Sequence, residues 1–426
     1  MATIKTSTSV LALWLAALPL CGTAQTLPPV PTSPRPVVDY EYDPNGNLTK
    51  VTQAKGVAGF NFATQNSYDT LDQLKNSTDA RNGVTQLGYD GMGRTTQVTD
   101  PRLLVTQYPR NGLGDVTKLI SPDTGTATNT YDAAGNLTST IDSRGVRVGY
   151  GYDALNRLKA INYGSGEYYS FVYDQNVAYI TNGWGRRTGQ DYPAGNNRYG
   201  YDPQGRLIAA DWQVFAATGI NDRVWRLTSY TYDTAGNLTS YTYPSGRIVQ
   251  YGYSGGKLSS ISLKANASAT PVVLLSQVQF EPFGGVSSWQ WQLASGGTRL
   301  HQRVFDTSGR MVRYPLGGNT RDIVYDAADR ITGFTHYDVN GNAAPALDQA
   351  FGYDELGRLT SVSANGSSWT IGYDANGNRT SVVLNGNAQT YSTSATSNRL
   401  GSITNPAKSF TYDVLATSRL ERVLQV

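Results

Sequence analysis

From residue 39 to residue 413 the chain runs in short alternations of apolar and polar residues, each closed by a polar cluster built on Asp and Gly. The stretch around Asp233 is representative. Tyr230, Thr231 and Tyr232 precede it and Leu238, Thr239 and Tyr241 follow, all β-branched, aromatic or large apolar residues suited to strands. Between them Asp233 can accept from the backbone N–H two residues on. Thr234 and Ala235 take the centre of a type I turn, and Gly236 supplies the left-handed residue after it. That predicts a three-residue hairpin loop closed by a G1-type bulge.

Near copies open at Asp43, Asp69, Asp90, Asp132, Asp153, Asp202, Asp233, Asp306, Asp326, Asp338, Asp354 and Asp374. If the third residue after Asp must be left-handed, other side chains cost roughly 1 kcal/mol or more there. The position holds Gly46, Asp72, Gly93, Gly135, Asn156, Gly205, Gly236, Gly309, Asp329, Gly341, Gly357 and Gly377, with no other residue type. Asp174 and Asp413 break the rule, with Val177 and Ala416 at that spacing, so their hairpins are predicted to be irregular. The next residue is Asn or Arg at nearly every copy, as in Asn136, Arg157 and Arg358, with Gln73 a departure. These donors are read as holding the turn carboxylate and nearby carbonyls along one sheet edge; a row of sugar-binding donors is the alternative.

Tyr131 to Tyr152, Tyr152 to Tyr173 and Tyr232 to Tyr253 are each 21 residues apart, which is two strands and two connections. A lone hairpin cannot hide an apolar face, so the units must stack. The predicted fold is all-β, serial hairpins in one continuous antiparallel sheet with two ends. A propeller of four-stranded blades is the rival architecture, but the signature recurs every hairpin rather than every second one.

The composition agrees, with 29 Tyr and 45 Gly. Residues 1–24 read as a secretory signal peptide, with an apolar run from Val10 to Leu20 that is too short to span a bilayer. Residues 25–38 carry five prolines, Pro28, Pro29, Pro31, Pro34 and Pro36, and are expected to be an extended spacer. Residues 414–426 show no alternation and read as an irregular tail. The sole Cys, Cys21, falls in the leader, so a secreted form has neither disulfide nor thiol nucleophile and depends on a large packed core. A net charge of +3 without basic clusters argues against nucleic-acid binding.

Little chemistry stands out. Trp289 and Trp291 alternate with Gln290 and Gln292, placing both indoles on one strand face, read as core or as a glycan-stacking platform. His301 and His336 are the two histidines, without a Gly-x-Ser-x-Gly elbow for a Ser-His-Asp site and too few for structural zinc. The loops at Asp43, Asp338 and Asp374 superficially resemble calcium loops but lack the bidentate Glu. Near-equivalent Asp residues in series mark a scaffold rather than a glycosidase pair. No catalytic, metal or cofactor residues are assigned. The candidate sites are the structural turns Asp43/Gly46, Asp90/Gly93, Asp132/Gly135, Asp202/Gly205, Asp233/Gly236, Asp354/Gly357 and Asp374/Gly377.

Tyr-Asp-x-x-Gly-(Asn/Arg)-Leu at these intervals resembles the YD repeat of the Rhs family, shared with insecticidal toxin complexes and teneurins. The resemblance runs from Asp39 to Asp413, and the segment from Phe280 to Gly285 with Trp289 and Trp291 resembles a non-repeat element of such shells. It implies a β-sheet spiral walling a hollow cage, with another shell chain or a toxin cargo as partner. The Asp-Pro self-cleavage motif and toxic domain of complete members are not found after Asp413, which reads as a chain cut short of the core end. The expected role is a secreted or cell-surface non-enzymatic scaffold in toxin delivery or cell contact. The alternatives are a carbohydrate or cell-surface binder and, further off, a polysaccharide hydrolase.

Overall fold

A computed structural model describes residues 27–412 apart from 165, 179, 216–222 and 283. The predicted leader, Asp413 and the 414–426 tail lie outside the described residues. Strands form where the alternation predicts them, from Val38–Tyr42 to Lys408–Ser409, and no α-helix occurs among the described residues. Consecutive strands pair antiparallel as a serial meander, with one break after Gln302. At the Tyr-Asp turns along one edge the register slips by one residue at the Tyr, for example between Gly151 and Tyr152 or Gly372 and Tyr373. This is the bulge that the left-handed turn residue requires.

The described strands group into a 23-stranded sheet and an 11-stranded sheet. The division falls inside one extended segment. Thr298–Gln302 pairs backward with Val286–Gln292, whereas Val304–Phe305, just past Arg303, pairs forward with Met311–Leu316. Continuing that forward register would set Gln302 opposite Pro315, which has no N–H to give. Arg299 bridges the lapse by donating from Nη2 to the Gly317 carbonyl at 2.8 Å.

The expected large core is absent. The buried apolar residues among those described are Ala54, Ile180, Ala209, Ala210, Val278, Val312, Ile323 and Ala327. The reason is architectural: the sheet has no second layer over it, so alternate side chains stay half-buried among same-face neighbours, and cohesion is spread along the ladder.

The sheet nevertheless meets itself. Arg310 donates to the Pro34 carbonyl at 3.0 Å, Arg81 to Asp354 Oδ2 at 3.4 Å, Asn376 to Asp100 Oδ2 at 2.5 Å and the Asn398 N–H to Asp123 Oδ1 at 2.5 Å. Their sequence separations are 276, 273, 276 and 275 residues. Other contacts of the same kind are separated by as many as 298 residues, and pairs confined to this range are the signature of a spiral whose second winding lies beside its first. The described part of the predicted spacer, residues 27–38, does not run free. Arg313 donates to the Pro28 carbonyl at 2.8 Å, and the Tyr325 N–H donates to Ser33 Oγ at 2.9 Å, so the proline-rich strip is laid along the second winding. Prolines expose carbonyls without competing N–H groups, which suits them to receive these donors.

Candidate functional site

The repeating site is the turn, and its geometry is nearly invariant. At Asp132 the N–H donates to the Asn136 carbonyl at 3.0 Å and the Gly135 N–H donates back to the Asp132 carbonyl at 3.1 Å. Oδ1 accepts from the N–H groups of Ala134 and Asn136, both at 2.9 Å, and Oδ2 accepts from Asn136 Nδ2 at 3.0 Å. Where the fifth residue is Arg, Nε replaces the amide, as in Arg157 to Asp153 at 2.7 Å and Arg358 to Asp354 at 2.6 Å. The third residue after Asp is left-handed, with φ 82° at Gly135, 59° at Asn156 and 65° at Asp329. These donors hold the carboxylates of Asp132, Asp153, Asp233 and Asp354 below their ordinary range. At Asp132 and Asp233 the chief cause is the fifth-residue Asn amide, followed by its N–H. At Asp354 burial pushes upward, and the bonds from Arg358 outweigh it.

The fifth residue also reaches the next turn. Arg330 Nη1 donates to the Asp354 carbonyl at 2.7 Å and Arg358 Nη1 to the Asp374 carbonyl at 2.8 Å, while Asn136 Nδ2 donates to Asn156 Oδ1 at 2.9 Å. On the way the guanidinium covers the next tyrosine, Arg157 lying 4.3 Å from the Tyr173 centroid and Arg358 4.9 Å from that of Tyr373. The tyrosine in turn ties the repeat backward. Tyr152 OH donates to the Leu137 carbonyl at 3.1 Å and Tyr373 OH to that of Leu359 at 2.9 Å.

The structure also contains turns of this type that sequence reading passed over. Asn111 opens one with the two polar partners exchanged: Asn111 Oδ1 accepts from the Leu113 and Asp115 N–H groups, and its Nδ2 donates to Asp115 Oδ2 at 2.9 Å. It fills the gap between Asp90 and Asp132. Asp79, Asp100 and Asp142 close turns of the same kind at the opposite edge, with left-handed Asn82, Leu103 and Gly145. Asp338 also sits at that opposite edge, ahead of a short 3-10 turn at Pro345–Leu347, rather than in the row formed by the others. Asp174 is itself left-handed at φ 63° and heads a long irregular connection closed by its N–H to Arg186 O.

The seam joins the two kinds of edge. Opposite-edge turns of the first winding meet Tyr-Asp-edge turns of the second. Arg102 is the densest contact, with Nη1 donating to Ser397 O at 2.9 Å and Asn398 Oδ1 at 3.1 Å, and Nη2 to Ser394 O at 2.7 Å. Arg81 reaches both Asp354 and Glu355, the latter at 3.3 Å.

The remaining candidates are committed to packing. Trp289 stacks on His301 at 4.0 Å with 16° between planes, Arg303 lies 4.9 Å from it, and Trp291 meets it edge-on at 5.8 Å. Trp291 is left 39% exposed. Burial, then Arg303 and Arg299, keeps His301 below the usual imidazole range. His336 is buried, taking Arg321 Nε on Nε2 at 2.8 Å and facing Asp348 Oδ1 from Nδ1 at 3.3 Å. With an arginine N–H on Nε2, that atom cannot serve as base to a hydroxyl, and no Ser, Thr, Cys or Lys is among the residues that line the open cavity of about 400 Å³ beside it. No group of three or more His, Cys, Asp or Glu that could hold a metal occurs among the described residues. Among these residues no helix is long and apolar enough to cross a membrane.

Comparison with known proteins follows this geometry. The Teneurin YD-shell profile matches residues 29–213, and the RHS Repeat profile matches residues 218–263 and 353–390. No curated protein matches. Among solved structures, a TcdB2–TccC3–Cdc42 complex superposes with a TM-score of 0.69 at 16% identity, covering 89% of this chain and 24% of that one. The Photorhabdus luminescens Tc holotoxin pore does so with a TM-score of 0.68 at 15% identity, covering 85% and 22%. The chain thus spans about a quarter of the length of the solved chains it matches. At such identities the likeness concerns the fold, an open antiparallel shell of serial hairpins. Over residues 29–213, 218–263 and 353–390 the turns of this chain are those of the YD and RHS repeats.

Proposed function

We propose that the chain is a non-enzymatic wall component, exported from the cell, whose curved sheet contributes part of a shell in toxin delivery or cell contact. The observation that carries this reading is the seam. A sheet whose second winding lies beside its first is built to bound a space, and its repeated carboxylates are engaged in turn bonds rather than presented in a cleft. The partners that suit such a wall are another shell chain or an enclosed polypeptide. A glycan role through Trp291 has less support, because Trp289 is already occupied by His301 and Arg303.

The direct test is single-particle electron microscopy of the purified chain alongside a polysaccharide depolymerisation assay. The expected result is an open curved wall with two overlapping windings and no turnover. A closed toroid with a central channel, or turnover abolished by a single Asp substitution, would overturn the proposal.

A further inference from the structure

The repeat that opens at Asp306 differs from its fellows beneath the proline strip. Three residues past the fifth place, repeats such as those of Asp132, Asp233 and Asp354 carry Ser139, Ser240 and Ser361, facing Gly149, Gln250 and Thr370 on the next strand. At the same place this repeat carries Arg313, facing Asp322. Arg313 is 9% exposed and Asp322 1%. A buried ion pair at a place where a hydroxyl serves elsewhere adds little stability, because desolvation of the two charges offsets their attraction. What the pair does supply is a fixed donor. Arg313 commits Nε and Nη2 to the two Asp322 oxygens and is left with Nη1, which donates to the Pro28 carbonyl at 2.8 Å.

Arg310 repeats the device. Its Nε donates to Asp306 at 2.8 Å and its Nη1 to Asp329 at 3.2 Å, while Nη2, beside Asp306, reaches the Pro34 carbonyl at 3.0 Å. The Tyr325 N–H, freed where the register slips, donates to Ser33 Oγ at 2.9 Å. The carboxylates that set the two guanidinium groups lie within residues 306–329, so the donors are positioned without the strip. Each of these three bonds runs from the winding to the strip. A site of donors selects a ligand rich in carbonyls and poor in N–H groups, which is what prolines in an extended conformation provide. On its outer side the strip is bare, with Pro29, Val30, Thr32, Pro34 and Arg35 exposed. It lies on the winding as a bound peptide does.

We infer that the surface formed by Arg310, Arg313 and the Tyr325 N–H is a receptor site for an extended proline-rich peptide, which residues 28–34 of the same chain occupy as an exchangeable latch between the start of the first winding and the second. A free peptide of the same sequence replaces the strip. The site stands on side-chain geometry and holds whether or not the chain walls a space.

The test uses the whole chain with a site for a sequence-specific protease inserted between Pro36 and Val37, cut after folding and purification. The probe is a fluorescein-labelled synthetic peptide of residues 27–36. By fluorescence anisotropy the cut chain is expected to bind it saturably, one per chain, with the severed strip released in native mass spectra. Uncut chain is expected to bind about tenfold more weakly or worse, because its tethered strip competes at high effective concentration. A peptide with Pro28, Pro29, Pro31, Pro34 and Pro36 all replaced by Ala keeps the carbonyls but gains N–H groups and flexibility, and should bind roughly tenfold more weakly than the parent peptide. Arg313→Lys keeps a cation beside Asp322 and loses the fork, so it is expected to weaken the parent peptide as well; if that variant does not fold, the peptide series still decides. Cut and uncut chains that bind alike place the peptide elsewhere and overturn the inference, as does an alanine peptide equal to the parent or a folded Arg313→Lys chain with unchanged binding. A severed strip that excess peptide never displaces, or circular dichroism that collapses as it leaves, makes the strip a permanent part of the fold and overturns it too.

Discussion

The Tyr-Asp edges of the two windings share one backbone and differ in what lies beyond it. At Asp132 in the first winding, the carboxylate is satisfied entirely within its own five residues, together with the link to Asn156. At Asp354 in the second, the same bonds from Leu356, Arg358 N–H and Arg358 Nε are present, and Arg81 of the neighbouring winding is added at 3.4 Å. The comparison teaches that the turn is a local rule needing no tertiary support, while winding contact is decided by the third and fifth places, where side chains leave the turn. A shell can thus be lengthened repeat by repeat, with docking written separately on the tips.

The largest effect should come from the turn carboxylates, most of the depressed ones lying in the first winding and Asp354 in the second. The turn carboxylates at Asp43, Asp90, Asp132, Asp153 and Asp233 all lie below the ordinary range in the fold, through their fifth-residue partners. A carboxylate depressed by folding contributes stability that is complete above its unfolded pKa, about 3.9, and is lost as pH falls through the folded value. Urea midpoints are therefore expected to be flat from pH 7 to about 5 and to drop steeply below about 4, the losses adding over the array. A decline beginning near pH 6 would mean that something other than the turns governs acid stability.

Breaking a turn at the seam should separate the windings. Asp354→Ala takes a buried carboxylate away from a half-buried Arg358 guanidinium and removes an anchor of Arg81, for an expected loss of about 3 kcal/mol by urea denaturation. Asp132→Ala, at an exposed turn with a neutral Asn136, should cost clearly less. Equal losses would show that the seam adds nothing to a turn. A smaller effect, about 1–2 kcal/mol, is expected for Gly236→Val, because φ is 90° there and a β-branched residue does not tolerate it. Gly236→Asn should recover most of it in the same thermal melts.

The hairpins were legible because two independent signals coincide at each of them. Strand alternation sets their length, and a steric filter admits only Gly, Asn or Asp three residues after Asp. The turn at Asn111 escaped because the exchange of Asn111 and Asp115 keeps every hydrogen bond while removing the letter that marks it. The opposite-edge turns at Asp79, Asp100 and Asp142 escaped because no tyrosine precedes them. The seam was illegible for a different reason. Arg81 and Arg102 are ordinary turn residues locally, and only curvature summed over roughly a dozen hairpins brings residues some 275 apart into contact. The missing core has the same origin, since alternation fixes which face is apolar but not whether another layer covers it. The proline strip reads as a spacer in the sequence because its composition specifies extension, which a docked strip shares with a free one.

The smallest effect sharpens the comparison from the other side, because it should not distinguish the windings at all. Tyr152 OH donates to the Leu137 carbonyl in the first and Tyr373 OH to the Leu359 carbonyl in the second, each within its own sheet rather than across the seam. Removing the hydroxyl in Tyr152→Phe leaves the ring in place and deprives one half-buried carbonyl of a donor, which is worth about 1 kcal/mol. Tyr373→Phe should cost the same within error, and the double variant should sum the two losses, because the sites share no partner. If Tyr373→Phe proved markedly worse, or if the pair failed to add, the tyrosine row would be coupled to winding contact through the arginines stacked on it, such as Arg358 over Tyr373 at 4.9 Å. The turn and the seam would then be one device rather than two.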